Sequence, residues 1–396
     1  MLLSVIGWCI ALPPALLLLV ILAELLAGTF GGRRAAPALP ASAQPLRAAI
    51  LMPAHDEAAS IARFVTALAP QLGETVRLVV IADNCSDDTA QVARAAGATV
   101  IERHDASLRG KGHALAFGRD WLAAQGAPEV VVVLDADCEL EGDSLRALIA
   151  TCAASGRPVQ SCYLLRSRAG DAAMVQISNF AFLIKNLVRM RGAARLGAPA
   201  VLGGTGMAFP WALFRDAPLA TSHLVEDLVL GIDFARAGHP PLYLESARTW
   251  SSPAAKDATR TQRTRWEHGY VQTATGQALP LVGEGIARGC WGLIWLGLSL
   301  AVPPLALLMT MGIAALLVTG LLALLGGSLW PAASLFVLMA LLTMALGIAW
   351  SREGRAAVSG GTLLRIPLYL LWKLPVYLKL VRGKQSEWVR TERSGE

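Results

Sequence analysis

The sequence predicts an α/β domain with a mostly parallel sheet, attached to a membrane by apolar helices. Short apolar runs that end in acidic or turn residues recur between residues 48 and 137, with helix-like stretches between them. Hydrophobic residues make up 54% of the chain and charged residues only 16%, whereas a soluble domain has about 25% charged residues. Both ends of the chain also contain long stretches that are almost free of charge.

The N-terminal stretch, residues 2–27, is almost wholly apolar, and about 20 such residues span a bilayer. Its only charge is Glu24, and two arginines follow it. Because basic residues favour the cytoplasmic side, we expect residues 1–30 to form a transmembrane helix with its N-terminus outside. A cleaved signal peptide is the alternative, since ASA at 41–43 resembles a cleavage site, but no basic residue precedes the apolar run.

A second membrane region is predicted over residues 290–350. No charged residue occurs between Gly289 and Ser351, and both flanks are basic. If both flanks are cytoplasmic, the number of crossings is even. The region then contains an interfacial helix and two transmembrane helices, at residues 290–302, 303–325 and 332–350.

The C-terminal segment, residues 363–396, mixes basic residues with leucines and aromatic residues. It predicts an amphipathic helix lying on the membrane, followed by a basic tail. A fourth span is the alternative, but it would place five basic residues outside, against the charge rule. Residues 34–45 form a Pro/Ala linker, so the α/β domain is expected over residues 45–285.

Net charge and cysteine content indicate which partners, metal sites and cellular compartment to expect. The net charge is +6 without a long Lys/Arg run, so no nucleic-acid partner is expected, and the basic residues are typical of sites beside membrane spans. The six cysteines form no CxxC motif and no zinc spacing with histidine. This usage indicates a reducing compartment, and hence a cytoplasmic α/β domain.

Acidic and polar residues mark the ends of the predicted strands, where parallel sheets bind their ligands. Any one of these carboxylates could cap the following helix, but capping does not account for several strand ends at once. Asp135 and Asp137 place two hard oxygen donors near one point, which suits Mg²⁺ or Mn²⁺ together with a nucleotide diphosphate. The residues at the strand ends are His55, Asp56, Glu57, Asp83, Asp135 and Asp137.

Seven short motifs occur in a fixed order along the chain. They are PAHDE (53–57), DNCSDDT (83–89), RGKGHAL (109–115), DAD (135–137), GGTGMAF (203–209), VEDLVLG (225–231) and QRTRW (262–266). With these motifs the sequence resembles the membrane-embedded family-2 glycosyltransferases, which include the cellulose, hyaluronan, chitin and poly-N-acetylglucosamine synthases. The resemblance covers roughly residues 48–270, and Gln-x-x-Arg-Trp is its most specific motif.

The resemblance implies a nucleotide-sugar-binding domain of the GT-A type that takes a UDP-sugar and a divalent metal. Lys111 would help to hold the diphosphate, Asp135 would lie beside the nucleotide and Asp137 would contact the metal. Without the other motifs, Lys111 reads as a solvated loop lysine. The uridine pocket would be lined by Pro53, Ala54 and Glu57, with Asp83 facing the uracil.

The resemblance also implies the catalytic group. Asp227 would be the general base that removes the proton of the acceptor hydroxyl, with Glu226 beside it. Arg265 would pair with the leaving diphosphate, for which a planar two-pronged donor is well suited. Without the other motifs, Glu226 and Asp227 would be interpreted as acidic residues in the first turn of a helix, where the helix dipole favours negative charge.

Acceptor binding is implied for the remaining motif residues. Trp266 would stack on the acceptor sugar, and Gln262 and Arg263 would frame the site. Gly204 and Thr205, in the glycine-rich motif, would allow the backbone to approach the acceptor. The alternative for QRTRW is a basic helix on the membrane surface, anchored by Trp266. The alternative for GGTGMAF is a tight turn without a binding role.

The sequence therefore predicts an inverting glycosyltransferase of a bacterial inner membrane, with a cytoplasmic catalytic domain. It would form β-linkages in a growing polysaccharide or on a lipid-linked acceptor. Val225 stands where the synthases often have Ser or Thr, and three spans are few for a polymer channel, so addition of a single sugar is the alternative. A membrane-anchored nucleotidyltransferase and a non-catalytic scaffold are further alternatives.

Overall fold

The computed structural model describes residues 1–31, 46–167, 170–221, 225–251 and 256–382, with the backbone alone at 256–265 and 378–382. The chain divides into two compact units. The sheet unit comprises the described residues within Arg33–Arg166 and Pro199–Thr259. The helical unit comprises those within Met1–Gly32, Ser167–Ala198 and Arg260–Ser386.

The sheet unit is built on eight strands, joined by four parallel and three antiparallel pairings. Their order across the sheet is β3-β2-β1-β4-β7-β6-β8-β5. The predicted α/β class with a mostly parallel sheet is therefore confirmed, with an antiparallel contribution on one side. The strands are β1 (Ala48–Ala54), β2 (Val76–Asp83), β3 (Thr99–Arg103), β4 (Val130–Val133), β5 (Cys138–Leu140), β6 (Val159–Leu165), β7 (Met207–Pro210) and β8 (Leu242–Ser251).

Fifteen α-helices are present in the described part of the chain. They are α1 (Leu2–Phe30), α2 (Ile61–Leu68), α3 (Thr89–Ala95), α4 (Lys111–Ala124), α5 (Ser144–Ser155), α6 (Ala173–Leu183), α7 (Met190–Arg195), α8 (Trp211–Arg215), α9 (Glu226–Arg236), α10 (Lys256–Ala287), α11 (Trp291–Ala301), α12 (Leu305–Leu324), α13 (Trp330–Ala349), α14 (Gly360–Leu363) and α15 (Ile366–Arg382). A 3₁₀ turn follows α2 at Ala69–Gln71, and π-helical segments occur at Ile184–Arg189 and Trp350–Gly354.

The central strands are apolar because helices cover the sheet on both faces. All four valines of β4 are buried, and Val131 and Val133 belong to the same core cluster as Phe209 of β7. The ring of Phe209 lies 5.4 Å from that of Phe214 and packs against a further ring from α9. The same cluster contains residues of β1 and β2, so it joins four adjacent strands, β2, β1, β4 and β7.

Strand register brings several chain segments to the carboxyl edge of the sheet, which is the side formed by the carboxyl ends of the parallel strands β1, β2 and β4. β4 ends at Val133, which pairs with Met207 at the start of β7. Residues 134–137 and residues 203–206 therefore emerge at the same edge, which is also the carboxyl end of β1 and β2. At the far side, Cys138 pairs with Ser251, so the end of β8 lies at this edge as well.

The helical unit contains three helices that are long and apolar enough to cross a membrane: Leu2–Phe30, Leu305–Leu324 and Trp330–Gly354. They coincide with the three predicted spans. The 11-residue helix α11, where an interfacial helix was expected, is too short to cross a bilayer of about 30 Å. Among the described residues α15 is not a candidate span, and its predicted place on the membrane surface remains a prediction.

Buried ion pairs tie the helical unit together. Glu24, the single charge of α1, is fully buried and accepts a 2.7 Å hydrogen bond from Nε of Arg189. Lys373 of α15 is 1% exposed, and its Nζ lies 2.7 Å from Oε1 of Glu267 in α10. Because a buried charge is costly unless it is paired, each pair fixes two helices relative to each other.

Candidate active site

Lys111 lies at the centre of a group of polar residues at the carboxyl edge of the sheet. It is the first residue of α4, and its ammonium group forms an ion pair with Asp135, directly after β4. The same nitrogen donates a 2.6 Å hydrogen bond to the carbonyl oxygen of Gly204. An ammonium has three donors, so these two contacts, within the described part of the chain, leave one N–H for a ligand.

Gly204 shows how closely the catalytic candidates approach. Its φ is +84°, a conformation that favours glycine. A Cβ atom added there would lie 3.3 Å from Oδ2 of Asp227 and 3.7 Å from Nζ of Lys111. The predicted base and the predicted diphosphate-binding lysine therefore border the same small space, from α9 and α4 respectively.

Polar side chains from neighbouring strands hold the glycine-rich loop in place. The amide of the buried Gln160 donates to the carbonyl oxygen of Thr205 at 3.0 Å, and its Oε1 accepts from the backbone N–H of Gly203 at 2.8 Å. The hydroxyl of Thr205 accepts a 3.0 Å hydrogen bond from the backbone N–H of Asp135. The loop that carries Gly204 is thus fixed to β6 and to the segment after β4.

Gly206 completes this arrangement. A Cβ atom at this position would lie 2.1 Å from both Oγ of Ser161 and Oγ1 of Thr249, which are hydrogen-bonded to each other at 2.6 Å. No side chain fits there, so the loop lies directly against β6 and β8. The short distance between chain segments explains the third glycine of GGTGMAF.

The charges of the site shift two pKa values. Burial alone would lower the pKa of Lys111, but the nearby carboxylates of Asp135, Glu226 and Asp227 outweigh burial and raise it. Burial, reinforced by the negative charge of Asp227, raises the pKa of Glu226 to about 7. Lys111 is therefore firmly cationic, whereas Glu226 holds a proton part of the time at neutral pH.

Asp137 provides the most suitable metal donor at this edge. Carboxylate oxygens of Asp135 and Asp137 and the sulfur of Cys138 lie within 4.8 Å of one another. Mg²⁺ and Mn²⁺ prefer carboxylate oxygen to thiol sulfur, so the two carboxylates fit such an ion and Cys138 does not. The hydroxyl of Ser251 donates to Oδ2 of Asp137 at 3.2 Å and helps to orient it.

The predicted uridine pocket lies at the ends of β1 and β2. Pro53 and Ala54 pair with Ile81 and Ala82, directly before Asp83. Neighbouring strands are about 4.8 Å apart, and β1 separates β2 from β4, so Asp83 lies roughly 10 Å from the residues after β4. This span is compatible with one nucleotide diphosphate lying across the edge.

The carboxylate of Asp83 is held by its neighbours. Nη1 of the buried Arg103 donates to its Oδ1 at 2.6 Å, and Nδ2 of Asn84 donates to the same atom at 3.1 Å. The Nδ1–H of His55 donates to the carbonyl oxygen of Asp83 at 2.7 Å. These contacts fix the end of β2 relative to β1 and β3.

The loops after β1 and β2 are joined by hydrogen bonds. Asp56 accepts hydrogen bonds from the backbone N–H of Ser86 at 2.6 Å and from the hydroxyl of Ser86 at 3.1 Å. Burial raises the pKa of Asp56, but these two hydrogen bonds and the nearby His55 together outweigh burial and lower it. The backbone N–H of Glu57 donates to Oγ1 of Thr89 at 2.7 Å, and the side chain of Glu57 accepts from Ser60. Asp56 and Glu57 thus have structural partners, besides the binding role predicted for Glu57.

The predicted acceptor residues of QRTRW belong to α10. The side chains of Gln262, Arg263 and Arg265 lie outside the described residues. Trp266 is half-buried in the helical unit, where its ring lies 6.0 Å from that of Phe182. The assignments of these four residues therefore remain predictions.

Several contributors to the site were missed at the sequence level. Gln160 lies within the apolar run VQSCYLL of β6, where a buried amide signals a required hydrogen-bond partner. Arg103 closes β3 in the run TVIER, and its position at a strand end is the signal that could have paired it with Asp83.

The sequence matches a known protein family. Residues 45–269 match the model of the family described as glycosyltransferase like family 2. A comparison with curated proteins found no match.

The chain is similar to several solved structures. The mannosyltransferase PcManGT from Pyrobaculum calidifontis, solved with GDP-Man and Mn²⁺, superimposes with a TM-score of 0.58 at 16% identity, covering 94% of this chain and 98% of its own. Glucosyl-3-phosphoglycerate synthase from Mycobacterium tuberculosis, solved with Mn²⁺, UDP and phosphoglyceric acid, gives a TM-score of 0.40 at 22% identity, covering 60% of this chain and 84% of its own. The first likeness establishes the GT-A fold.

Proposed function

Because the chain belongs to glycosyltransferase family 2, we propose that it transfers a sugar from a UDP-sugar to a membrane-associated acceptor and inverts the anomeric configuration. The observation that carries this proposal is the approach of Asp227 and Lys111 to one space beside Gly204. A carboxylate and a fixed cation are the two groups that such a transfer needs on opposite sides of the reacting carbon.

Asp227 acts as the general base in the proposed reaction. The acceptor hydroxyl oxygen forms a bond to the anomeric carbon of the sugar while the bond from that carbon to the β-phosphate oxygen breaks. The hydroxyl proton passes to the carboxylate of Asp227, and the electron pair of the broken bond leaves with UDP. Attack from the face opposite the leaving group converts an α-linked donor into a β-linked product.

Lys111 stabilises the leaving diphosphate. Its raised pKa keeps it cationic at every physiological pH, and a fixed charge in a partly desolvated site stabilises developing charge at no reorganisation cost. Its contacts with Asp135 and Gly204 hold the ammonium group in position before the donor binds.

Asp137, with Asp135 beside it, would hold Mg²⁺ or Mn²⁺. A divalent ion at this position supplies positive charge to the two phosphates of the donor. Ser251 orients the Asp137 carboxylate through its 3.2 Å hydrogen bond. The uridine would lie against Pro53, Ala54 and Glu57 and reach towards Asp83.

The acceptor side of the reaction rests on the resemblance. Arg265 would pair with the leaving diphosphate, and Trp266, Gln262 and Arg263 would bind the acceptor. The three candidate spans support an enzyme of the membrane. We further propose a bacterial inner membrane, with the sheet unit in the cytoplasm, because basic residues flank the apolar segments.

Product analysis tests the function. Purified full-length protein is incubated with Mn²⁺ and a panel of radiolabelled UDP-sugars and GDP-Man, with an extract of membrane lipids as acceptor. Release of UDP together with a labelled product supports a UDP-sugar glycosyltransferase. In a parallel assay with UTP and sugar 1-phosphates in place of the UDP-sugars, release of pyrophosphate would indicate a nucleotidyltransferase instead. No turnover with any donor would contradict the proposal.

Product size separates the two modes of transfer. A long polymer indicates a processive synthase, and a single labelled sugar on a lipid indicates a non-processive enzyme. We favour the second mode, because three candidate spans in the described part of the chain are few for a polymer channel.

A further inference from the structure

Within the described residues, two groups of side chains could hold a metal ion, and they differ in chemistry. The first group contains Cys138 and the two aspartates of the proposed metal site. The second group consists of His55, Asp56 and Cys85, and the transfer reaction proposed above uses none of these three. One ligand atom of each residue lies within 4.8 Å of the other two. We call this second group the loop cluster, because its members follow two neighbouring strands.

Two adjacent parallel strands assemble the loop cluster. His55 and Asp56 directly follow β1, and Cys85 lies two residues beyond the end of β2. The two strands pair in parallel up to Ala54 and Ala82, so their carboxyl ends emerge side by side. The thiol of Cys85 donates to the carbonyl oxygen of Ala54 at 3.5 Å. The fold therefore brings donors from two separate loops together.

A hydrogen bond fixes the protonation of the His55 ring. Its Nδ1 lies 2.7 Å from the carbonyl oxygen of Asp83, and a carbonyl oxygen can only accept, so Nδ1 carries the proton. In the neutral ring, Nε2 therefore carries the lone pair. Metal-bound histidines have this arrangement, because they donate the other ring N–H to a carbonyl or carboxylate oxygen. Nε2 lies 3.8 Å from Oδ2 of Asp56, so a nitrogen and an oxygen donor are already close.

Ser86 orients the carboxylate of Asp56. The carboxylate accepts hydrogen bonds from the backbone N–H of Ser86 at 2.6 Å and from its hydroxyl at 3.1 Å. A carboxylate has about four lone-pair sites, so it can be held by hydrogen bonds and bind an ion as well. Carboxylates that bind metals are commonly hydrogen-bonded in this way.

The donor set favours zinc over the ions proposed for the nucleotide site. Thiolate sulfur and imidazole nitrogen suit Zn²⁺, whereas Mg²⁺ and Mn²⁺ prefer oxygen donors. The ligand atoms of a tetrahedral zinc site lie about 3.5 Å apart, so small side-chain rotations would close the loop cluster around an ion. With three protein ligands, Zn²⁺ keeps a fourth position for water. The side chain of His55 is 33% exposed, so a hydrated ion can reach the site.

We propose that the loop cluster binds one exchangeable Zn²⁺ ion through Nε2 of His55, a carboxylate oxygen of Asp56 and the sulfur of Cys85. The ion joins the loop after β1 to the loop after β2. Burial raises the pKa of Cys85, so the thiol is protonated at neutral pH, and zinc binding releases this proton to the buffer. Zinc binding does not depend on the proposed transfer reaction, although the same loops carry Ala54 and Glu57 of the predicted uridine pocket.

Cobalt binding tests the proposal, because Co²⁺ can replace Zn²⁺ and its absorption spectrum reports on its ligands. The full-length protein in detergent is freed of metal with a chelator, kept reduced and titrated with Co²⁺. We expect a sulfur-to-metal charge-transfer band that saturates at one Co²⁺ per chain and is lost on addition of Zn²⁺ but not of Mg²⁺. Absence of this band, or its loss with Mg²⁺ alone, would overturn the proposal.

Two variants remove a ligand and keep its structural hydrogen bond. Cys85→Ser retains a hydroxyl donor for the carbonyl oxygen of Ala54, and His55→Asn retains an amide donor for the carbonyl oxygen of Asp83. Loss of an outer-shell partner alone lowers metal affinity by about 10–100-fold. Each variant lacks a ligand and should therefore bind Zn²⁺ at least about tenfold more weakly, and Cys85→Ser should also lose the cobalt band. Unchanged Zn²⁺ affinity in either variant would contradict the assignment.

Two control variants distinguish the loop cluster from other donors. Cys290→Ser removes an exposed cysteine of the helical unit and should leave the cobalt band unchanged. Asp137→Asn alters the proposed Mg²⁺ or Mn²⁺ site and should likewise leave the band unchanged. Loss of the band in either control would assign the ion to that residue's surroundings and overturn the proposal. UDP binding with Mn²⁺, measured on zinc-free protein, reports separately on the proposed function.

Discussion

The ammonium nitrogen of Lys111 lies 2.6 Å from the carbonyl oxygen of Gly204. This contact joins the first turn of α4 to a loop that enters the sheet from the opposite direction. The same nitrogen is paired with Asp135, so three separate parts of the chain meet at one cation. The proposed nucleotide site is therefore a product of the sheet topology rather than of any single motif.

Removal of the proposed base should stop the chemistry and spare binding. We expect Asp227→Asn to lower the rate of sugar transfer by about 100- to 10,000-fold, the usual contribution of a general base. UDP affinity in the presence of Mn²⁺, measured by calorimetry, should change little. Asp233→Asn, an exposed carboxylate two turns along the same helix, is the control and should keep full activity. Normal turnover by Asp227→Asn would remove it from the base role.

Two glycines with nearly the same φ allow the effect of backbone strain to be distinguished from the effect of steric exclusion in the proposed site. Gly204 and Gly238 have φ values of +84° and +85°, but only Gly204 has neighbours within 4 Å of an added Cβ. Both Ala variants should lose about 1–2 kcal/mol of stability from the left-handed backbone. Transfer activity should fall strongly only in Gly204→Ala, because its methyl group occupies the space between Asp227 and Lys111. Equal activity of the two variants would contradict the proposed location of the reaction.

The raised pKa of Glu226 predicts a pH-dependent stability. Its value of about 7 exceeds the ordinary value of 4.5, so the folded state binds more protons than the unfolded state between these two values. The contribution of Glu226 to stability therefore falls as pH rises from about 4.5 to about 7. The melting temperature of Glu226→Gln, relative to the original protein, should rise over this interval. Thermal melts at pH 5 and 7.5 without nucleotide measure it, and a pH-independent difference would refute the assignment.

If Asp137 is a metal ligand, its removal should change how UDP binding depends on the Mn²⁺ concentration. Asp137→Asn should raise the Mn²⁺ concentration required for half-maximal UDP binding by about tenfold or more, because a neutral amide replaces a charged oxygen donor. Asp143→Asn, an exposed carboxylate before α5 that pairs with Arg146, should have no effect. Titration of Mn²⁺ at fixed UDP measures the change. An unaltered Mn²⁺ requirement would assign the ion to other residues.

The parallel half of the sheet could be predicted from the sequence. Strands β1, β2 and β4 are mostly apolar runs that end at or shortly before a polar residue, as Val130–Val133 ends two residues before Asp135. The other half, β7-β6-β8-β5, combines parallel and antiparallel pairings and lacks this signal. Leu242–Ser251 alternates half-buried and buried residues without a continuous apolar run, and Cys138–Leu140 has only three residues.

The composition of the site could be predicted only in part. Lys111, Asp135 and Asp227 belong to motifs that a reader of the sequence can recognise. The residues that position them, such as Gln160, act through single hydrogen bonds whose partners are distant in sequence. Pairings of this kind depend on the three-dimensional register of β6 against β7 and cannot be inferred from spacing along one chain.

The loop around Gly204 has a consequence for biosynthesis of the protein itself. Its contacts join residues separated by up to 93 positions in the chain, and Asp227 comes later still. A nascent chain consequently cannot assemble this pocket until most of the strands have emerged from the ribosome and paired. Pairings between residues so distant in sequence form slowly. Retention on an immobilised nucleotide column would therefore select completely folded molecules, and could serve as a quality criterion during purification.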